Sequence, residues 1–168
     1  MSAHQAEGPS GGQAGRLIDL VVARLLVTDD VAAAKFGAGS PVDDPVRERE
    51  VLDQVRARAR DAGVDPDVAV AFFRDQISAS KEVQRGLLAH WAAHPAEAPT
   101  TRPDLGAIRE RLDELTAGLL HELAAALELR ARCAARPARV APAVRARARG
   151  LDALHRRAVD AATRSVTA

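Results

Sequence analysis

Leu105, Ile108, Leu112, Leu115, Leu119, Leu120, Leu123 and Leu127 form an apolar series spaced mostly by three and four residues. That spacing follows the 3.6-residue turn of an α-helix and conflicts with the two-residue alternation of a half-buried strand. A chain with such a stripe is committed to a long helix, from about Asp104 to Cys133, whose apolar face must be covered by other helices.

The same period recurs upstream. Leu17, Leu20, Val21, Leu25, Val31 and Ala34 predict a helix from Gly15 to about Ala38, ending within Gly37 to Pro41. Asp43 and Asp44 before Pro45 start a second helix, carrying Val51, Leu52 and Val55 and stopping at Gly63. Asp65 followed by Pro66 places an N-cap before a proline at the first helical position, opening a third helix through Val68, Phe72, Phe73, Ile77, Val83, Leu87, Leu88 and Trp91. The proline-rich stretch HPAEAPTTRP, residues 94–103, is a connection, and residues 137–166 read as one or two shorter helices broken near Gly150. Phe72, Phe73 and Trp91 are core candidates. Residues 1–14, rich in Gly, Ser and Gln, are expected to be disordered, leaving 15–168 as one helical domain. Only 2% of residues are aromatic and none is Tyr, which disfavours sheets and barrels. The expected fold is all-α, an entwined bundle of about six helices.

Charge excludes several functions. Twenty-four Lys and Arg against 23 Asp and Glu give a net charge of +1, so no general affinity for nucleic acid or anionic lipid follows; the Arg-rich run at 139–150 reads mainly as a solvated helix. No stretch approaches the roughly 20 apolar residues of a membrane-spanning helix. The five histidines are scattered without zinc-type spacing, so neither metal nor other cofactor is expected. Cys133 is the only cysteine, and the opening MSAHQAEGPSGGQAG has no signal-peptide pattern; the chain is expected to be cytoplasmic.

Against this balanced background one group of polar residues stands out. Arg24 and Lys35 are eleven positions apart, which returns a helical side chain to within about 20° of the same azimuth. Two cations on one face with apolar neighbours make an anion site. Ser80 and Gln84 form an i, i+4 pair on the third helix.

Arg24, Lys35, Asp44, Arg47, Glu48, Ser80 and Gln84, in this order and spacing, resemble the active-site pattern of the helical, AroQ-type chorismate mutases. HWAAHPAEAP and PDLGAIRERLDEL, with the helical C-terminal region, are similar to the gamma subclass, in which one polypeptide forms its own pocket; the resemblance covers roughly residues 16 to 166. It departs from the subclass at Gln84, where a Glu is common, and at Val51, where a Gln sometimes stands. Glu48 instead resembles an alpha-subclass residue.

The resemblance implies an isomerase that converts chorismate to prephenate. In this pericyclic rearrangement a C–O bond breaks as a C–C bond forms and no proton moves, so no nucleophile or general base is required. The demands are a restrained reactive conformer and stabilisation of negative charge on the ether oxygen. Arg24 and Arg109 are implied to hold the substrate carboxylates, through the two-pronged geometry of guanidinium groups. Lys35 and Gln84 are implied to donate to the ether oxygen. Glu48 and Asp44 would meet the ring hydroxyl, with Arg47 orienting them or reaching a carboxylate and Ser80 supporting the ring side. Because Gln84 is a neutral donor, activity should be flat from about pH 5 to 9. The family resemblance also implies a homodimer with each pocket inside one subunit. Three alternatives stay open: a mutase for 4-amino-4-deoxychorismate, in which Asp44 and Glu48 face an amine; a lyase acting on isochorismate; and a non-catalytic binding protein on the same fold. Arg47, Glu48 and Asp44 also have plain structural readings, the first two in the exposed pattern RERE and the last as a helix cap.

Overall fold

The computed structural model describes residues 9–132 and 140–168. Among them are seven α-helices and two 3-10 turns: α1 (Pro9–Ala38), α2 (Pro45–Asp61), α3 (Pro66–Ala93), a turn at Pro95–Glu97, α4 (Leu105–Arg132), α5 (Val140–Arg147), a turn at Ala148–Gly150, α6 (Ala153–Ala162) and α7 (Arg164–Thr167). No strand is present among the described residues. The expected all-α bundle is therefore the fold, with a four-residue last helix in addition to six longer ones.

Local chemistry sets most boundaries. Asp44 caps α2 by accepting the Arg47 N–H at 3.0 Å, and Asp65 caps α3 by accepting the Asp67 N–H at 2.8 Å; a proline follows each cap. At its other end α2 closes with Gly63 at φ 74°, and the Val64 N–H reaches Ala59 O at 2.9 Å. Gly39, at φ 64°, ends α1 in the same way, with the Ser40 N–H on Lys35 O at 3.2 Å. In both motifs a left-handed residue lets the chain turn back over the last carbonyls, a conformation that glycine adopts without steric cost. The Gly39 turn matters for function because it folds the chain back at Val42 beside Lys35.

Two of the three long helices, α1 and α3, form the axis of the bundle. α4 and α5 each pack on α1, α2 lies on α3, and α6 packs against both α3 and α1. Leu17, Ile18, Val21, Leu119 and Leu123 fill the α1–α4 layer, while Phe72 and Phe73 stand edge to face, 5.6 Å apart, in the same continuous core. Full burial of a ring of that size contributes about 1.5–3 kcal/mol. Trp91 is only half buried and packs instead against Phe36, 5.6 Å away, joining the C-terminal ends of α3 and α1.

α1 begins at Pro9 rather than at Gly15. Just after this extra stretch α1 meets α5, where Arg147 pairs with Asp19 at 2.8 Å and Val140, Ala143 and Val144 share the core with Ala14, Leu17 and Ile18. The sequence-based expectations for residues 1–8, for Cys133 and for the start of the helical region at 137 lie outside the described residues.

Candidate active site

A cavity of about 160 Å³ opens where α1, α2, α3 and α4 meet. From α1 come Arg24, Thr28, Val31 and Lys35, at steps of four, three and four, so a single face supplies all of them. Ile77, Ser80, Lys81 and Gln84 of α3 follow the same rule. The turn before α2 and its first turns bring Val42, Asp44, Arg47, Glu48, Val51 and Gln54, and α4 closes the side with Leu112, Asp113 and Thr116. Four cations thus face three carboxylates around a partly apolar wall.

Arg24 is 9% exposed, and burial draws its guanidinium pKa down to about 10, still a full cation at neutral pH. Its Nε has no hydrogen-bond partner. Lys35 donates to Val42 O at 3.0 Å, leaving two of its N–H groups for a ligand. Burial also lowers the Lys35 pKa, against an opposing pull from Asp44, Asp43 and Glu48.

Gln84 is 5% exposed, and its Oε1 is unpartnered. Its Nε2 donates to Ser80 Oγ at 3.1 Å; Ser80 lies 3.2 Å from Thr28 Oγ1, which donates to Arg24 O at 3.3 Å. One consistent direction runs through this chain: amide to Ser80, Ser80 to Thr28, Thr28 to the α1 backbone. It fixes the amide plane and leaves the second Nε2 hydrogen free. An unpaired polar atom inside a folded chain costs about 1–3 kcal/mol. Among the described residues three buried side-chain atoms are in that state, and two of them, Arg24 Nε and Gln84 Oε1, belong to residues lining this cavity.

On the α2 side Asp44 uses Oδ1 for its cap, and Arg47 is exposed and paired with Glu50 at 3.3 Å. Glu48 accepts from Lys81 Nζ at 2.7 Å.

Seven of the eight residues singled out from sequence therefore line one cavity: Arg24, Lys35, Asp44, Arg47, Glu48, Ser80 and Gln84. Arg109 does not. It is exposed on α4, on the same helical face as Asp113 and Thr116 but one turn nearer the start of the helix, outside the residues that line the cavity. Thr28, Lys81 and Asp113 are lining residues that the sequence reading missed. Thr28 carried a usable signal, since it stands four residues after Arg24 on the same face. Lys81 carried none, because its contact with Glu48 depends on how α2 crosses α3.

Comparison with known proteins bears on the same residues. The sequence profile of chorismate mutase type II matches residues 15–85, which hold seven of these positions. Secreted chorismate mutase of Mycolicibacterium smegmatis is 37% identical over 151 residues, covering 89% of this chain and 83% of that protein. The protein of the same name from Mycobacterium tuberculosis is 35% identical over 163 residues, 96% of this chain and 80% of its own length. The crystal structure of chorismate mutase from Burkholderia phymatum superimposes with a TM-score of 0.84 at 35% identity, covering 96% of this chain and 99% of that one.

These relatives correct the expectation of a cytoplasmic protein, since the mycobacterial proteins and a further relative from Yersinia pestis are all named secreted. The expectation rested on the N-terminal stretch and a single cysteine, and neither records the compartment in which a helical bundle works. No helix among the described residues is long and apolar enough to cross a membrane, and no group of three or more metal-ligating side chains occurs among them. Taken with the fold and the cavity, the sequence identity over nearly the whole chain shows that it belongs to the type II chorismate mutase family, whose members are isomerases.

Proposed function

We propose that the cavity binds chorismate and converts it to prephenate through conformer restraint and electrostatic stabilisation, with this chain's own side chains in the following roles. The observation that carries the reading is the buried, unpartnered Arg24 Nε–H in one cavity with the Lys35 ammonium and the second Nε2 hydrogen of Gln84, three donors with hydrogens to spare. A bundle gains nothing from leaving such groups without partners, whereas a small dianion with an ether oxygen can use them.

Arg24 holds one substrate carboxylate, and Arg47 leaves its surface pairing with Glu50 to reach the other. Arg109 acts from the rim, one turn before Asp113. Lys35 and the free N–H of Gln84 donate to the ether oxygen, where charge grows as the C–O bond breaks. Both helices are fixed before substrate arrives, so no reorganisation is needed at the barrier. Ser80 and Thr28 hold the Gln84 amide in plane. Glu48, assisted by Asp44, accepts the ring hydroxyl. No group on the wall has to exchange a proton, which agrees with the absence of a His or Cys among the lining residues.

The lining residues lie between 24 and 116 of one chain. One subunit thus supplies all of them, and the homodimer implied by the family leaves each pocket within a subunit.

The test is a direct assay of chorismate loss and prephenate formation, with Lys35→Ala as control. Turnover that falls by about 10²-fold or more in the variant, with its helical circular dichroism unchanged, supports the reading. Turnover unaffected by the substitution refutes the role of Lys35.

A further inference from the structure

Lys81 follows Ser80 on α3 and lines the cavity. Its Nζ lies 2.7 Å from Glu48 Oε1 and 2.9 Å from Asp43 Oδ1. One turn on, Arg85 holds both oxygens of Asp43, at 2.9 and 2.8 Å. Asp43 is thus shared between two cations and is not part of the cavity wall, whereas Glu48 is on the wall and has Lys81 as its cation. The hydrogen bonds that Lys81 donates to Asp43 and Glu48 raise its pKa, so its charge is permanent in the physiological range.

The geometry points to Lys81 as a specificity-determining residue: its fixed positive charge on Glu48 makes the ring side of the pocket accept a neutral hydroxyl and reject an ammonium in the same place. The inference rests on the reading of Glu48 as the partner of the ring substituent. A carboxylate already paired with an ammonium retains free lone pairs, enough for one O–H donor. A substrate ammonium on those lone pairs, at the usual 2.9 Å, would stand within about 5 Å of Lys81 Nζ. Two like charges that close in a partly dry site repel strongly, and Asp43, the other carboxylate on Lys81, is shared with Arg85 and so screens the Lys81 charge only in part. Discrimination here comes from a repulsive element built into the wall rather than from a better contact with the preferred substrate. Without Lys81 the preference inverts, because a bare carboxylate attracts an ammonium more than a hydroxyl. Chorismate is then favoured over 4-amino-4-deoxychorismate by a residue that touches neither the carboxylates nor the ether oxygen.

The experiment measures kcat/KM for both substrates in the wild-type protein and in Lys81→Met, Lys81→Gln, Lys81→Arg and Glu48→Gln. The wild type is expected to prefer chorismate. Lys81→Met and Lys81→Gln, one without and one with a hydrogen bond to Glu48, should both shift the ratio of the two kcat/KM values by about tenfold or more toward the amino substrate. Lys81→Arg should keep the wild-type ratio. Asp43–Arg85 still fastens the turn before α2 to α3 in all of these variants, and the ratio is insensitive to a uniform loss of folded protein. A ratio unchanged in both neutral variants, with chorismate turnover lowered in Glu48→Gln, overturns the role of Lys81 and leaves the pocket reading intact. If Glu48→Gln alters neither substrate, the reading of Glu48 itself fails and the inference falls with it.

Discussion

Replacing Gln84 by Leu separates what this residue does for the reaction from what it does for the fold. The side chain is 5% exposed, with Oε1 unpartnered and Nε2 bonded to Ser80 at 3.1 Å. Leu fills a similar volume without polar atoms. It removes an unsatisfied oxygen that costs about 1–3 kcal/mol and gives up one hydrogen bond worth about 1 kcal/mol, so the folded state should end between unchanged and about 2 kcal/mol more stable. For a chain of this length about 1 kcal/mol moves Tm by roughly 2–4 °C, so Tm should stay level or rise. Catalysis should move the other way. Loss of one preorganised donor to a developing oxyanion costs about 10²–10³ in kcat, with KM little changed because the interaction is realised in the transition state. Gln84→Glu sharpens the test, since a carboxyl donates only while protonated; that variant should work at acid pH and lose a factor of ten per pH unit above its pKa, where the wild type stays flat. The wild-type plateau should end on the alkaline side, as Lys35, whose pKa burial lowers, gives up the charge the reaction needs. Stopped-flow or spectrophotometric rates together with calorimetry decide the matter. A kcat reduced less than tenfold in Gln84→Leu, together with a Tm lowered by several degrees, would show that Gln84 is a packing residue and refute the assignment.

Arg24→Ala should lower kcat/KM by about 10²-fold or more, because it leaves a substrate carboxylate unpaired against a buried wall; Arg109→Ala, at an exposed rim position, should cost about tenfold or less and appear mainly in KM. His155 sits 5% exposed between Asp29, 2.8 Å from Nε2, and Asp152, 2.9 Å from Nδ1, and so joins α6 to α1. Burial opposes its charge, but the bonds to Asp29 and Asp152 outweigh that and raise its pKa above 6.5. The folded state therefore binds the proton more tightly than the unfolded chain; the stabilisation is complete below pH 6.5 and is lost as pH rises through the folded pKa. Thermal melts should show Tm falling from pH 6 to pH 8 in the wild type, with a smaller fall in Asp29→Asn; equal slopes in the two proteins would remove His155 as the cause.

What could be read from the sequence was what a single helix encodes. The caps at Asp44 and Asp65, the prolines after them and the stop at Gly63 act within a few residues, and each boundary they predict is present. The face shared by Arg24 and Lys35 is likewise fixed by helical geometry alone. The start of α1 was read six residues too late because its first residues, PSGGQA, have two glycines and no apolar period, so nothing local marks them as helix. Arg109 shares its helical face with Asp113 and Thr116, but how far along α4 the cavity extends depends on where α4 crosses the other helices, and Arg109 lies one turn outside it. The contacts of Ser80 with Thr28 and of Lys81 with Glu48 join different helices, and nothing along either helix specifies their crossing.

An unsatisfied buried atom does not by itself mark a site, and α3 contains the comparison that shows why. Gln76 stands two turns before Gln84 on the same helix, is 1% exposed and also has an unpartnered Oε1. Its Nε2, however, donates to Ala162 O at 2.7 Å, tying α3 to α6, and it does not line the cavity. Gln76 is a strut whose second atom is tolerated because its first atom joins two helices. Gln84 bonds only to Ser80, one turn away on its own helix, and contributes little to holding elements together. The polar cost at Gln84 is therefore not offset by an architectural gain, and the cavity beside it supplies the remaining explanation: a group held in place, short of partners, facing a space lined with cations. In the proposed reaction, which moves no proton, the working part of that arrangement is the second Nε2 hydrogen, which a developing oxyanion can accept; Oε1 is itself an acceptor, and its cost is what holding the amide in that orientation requires.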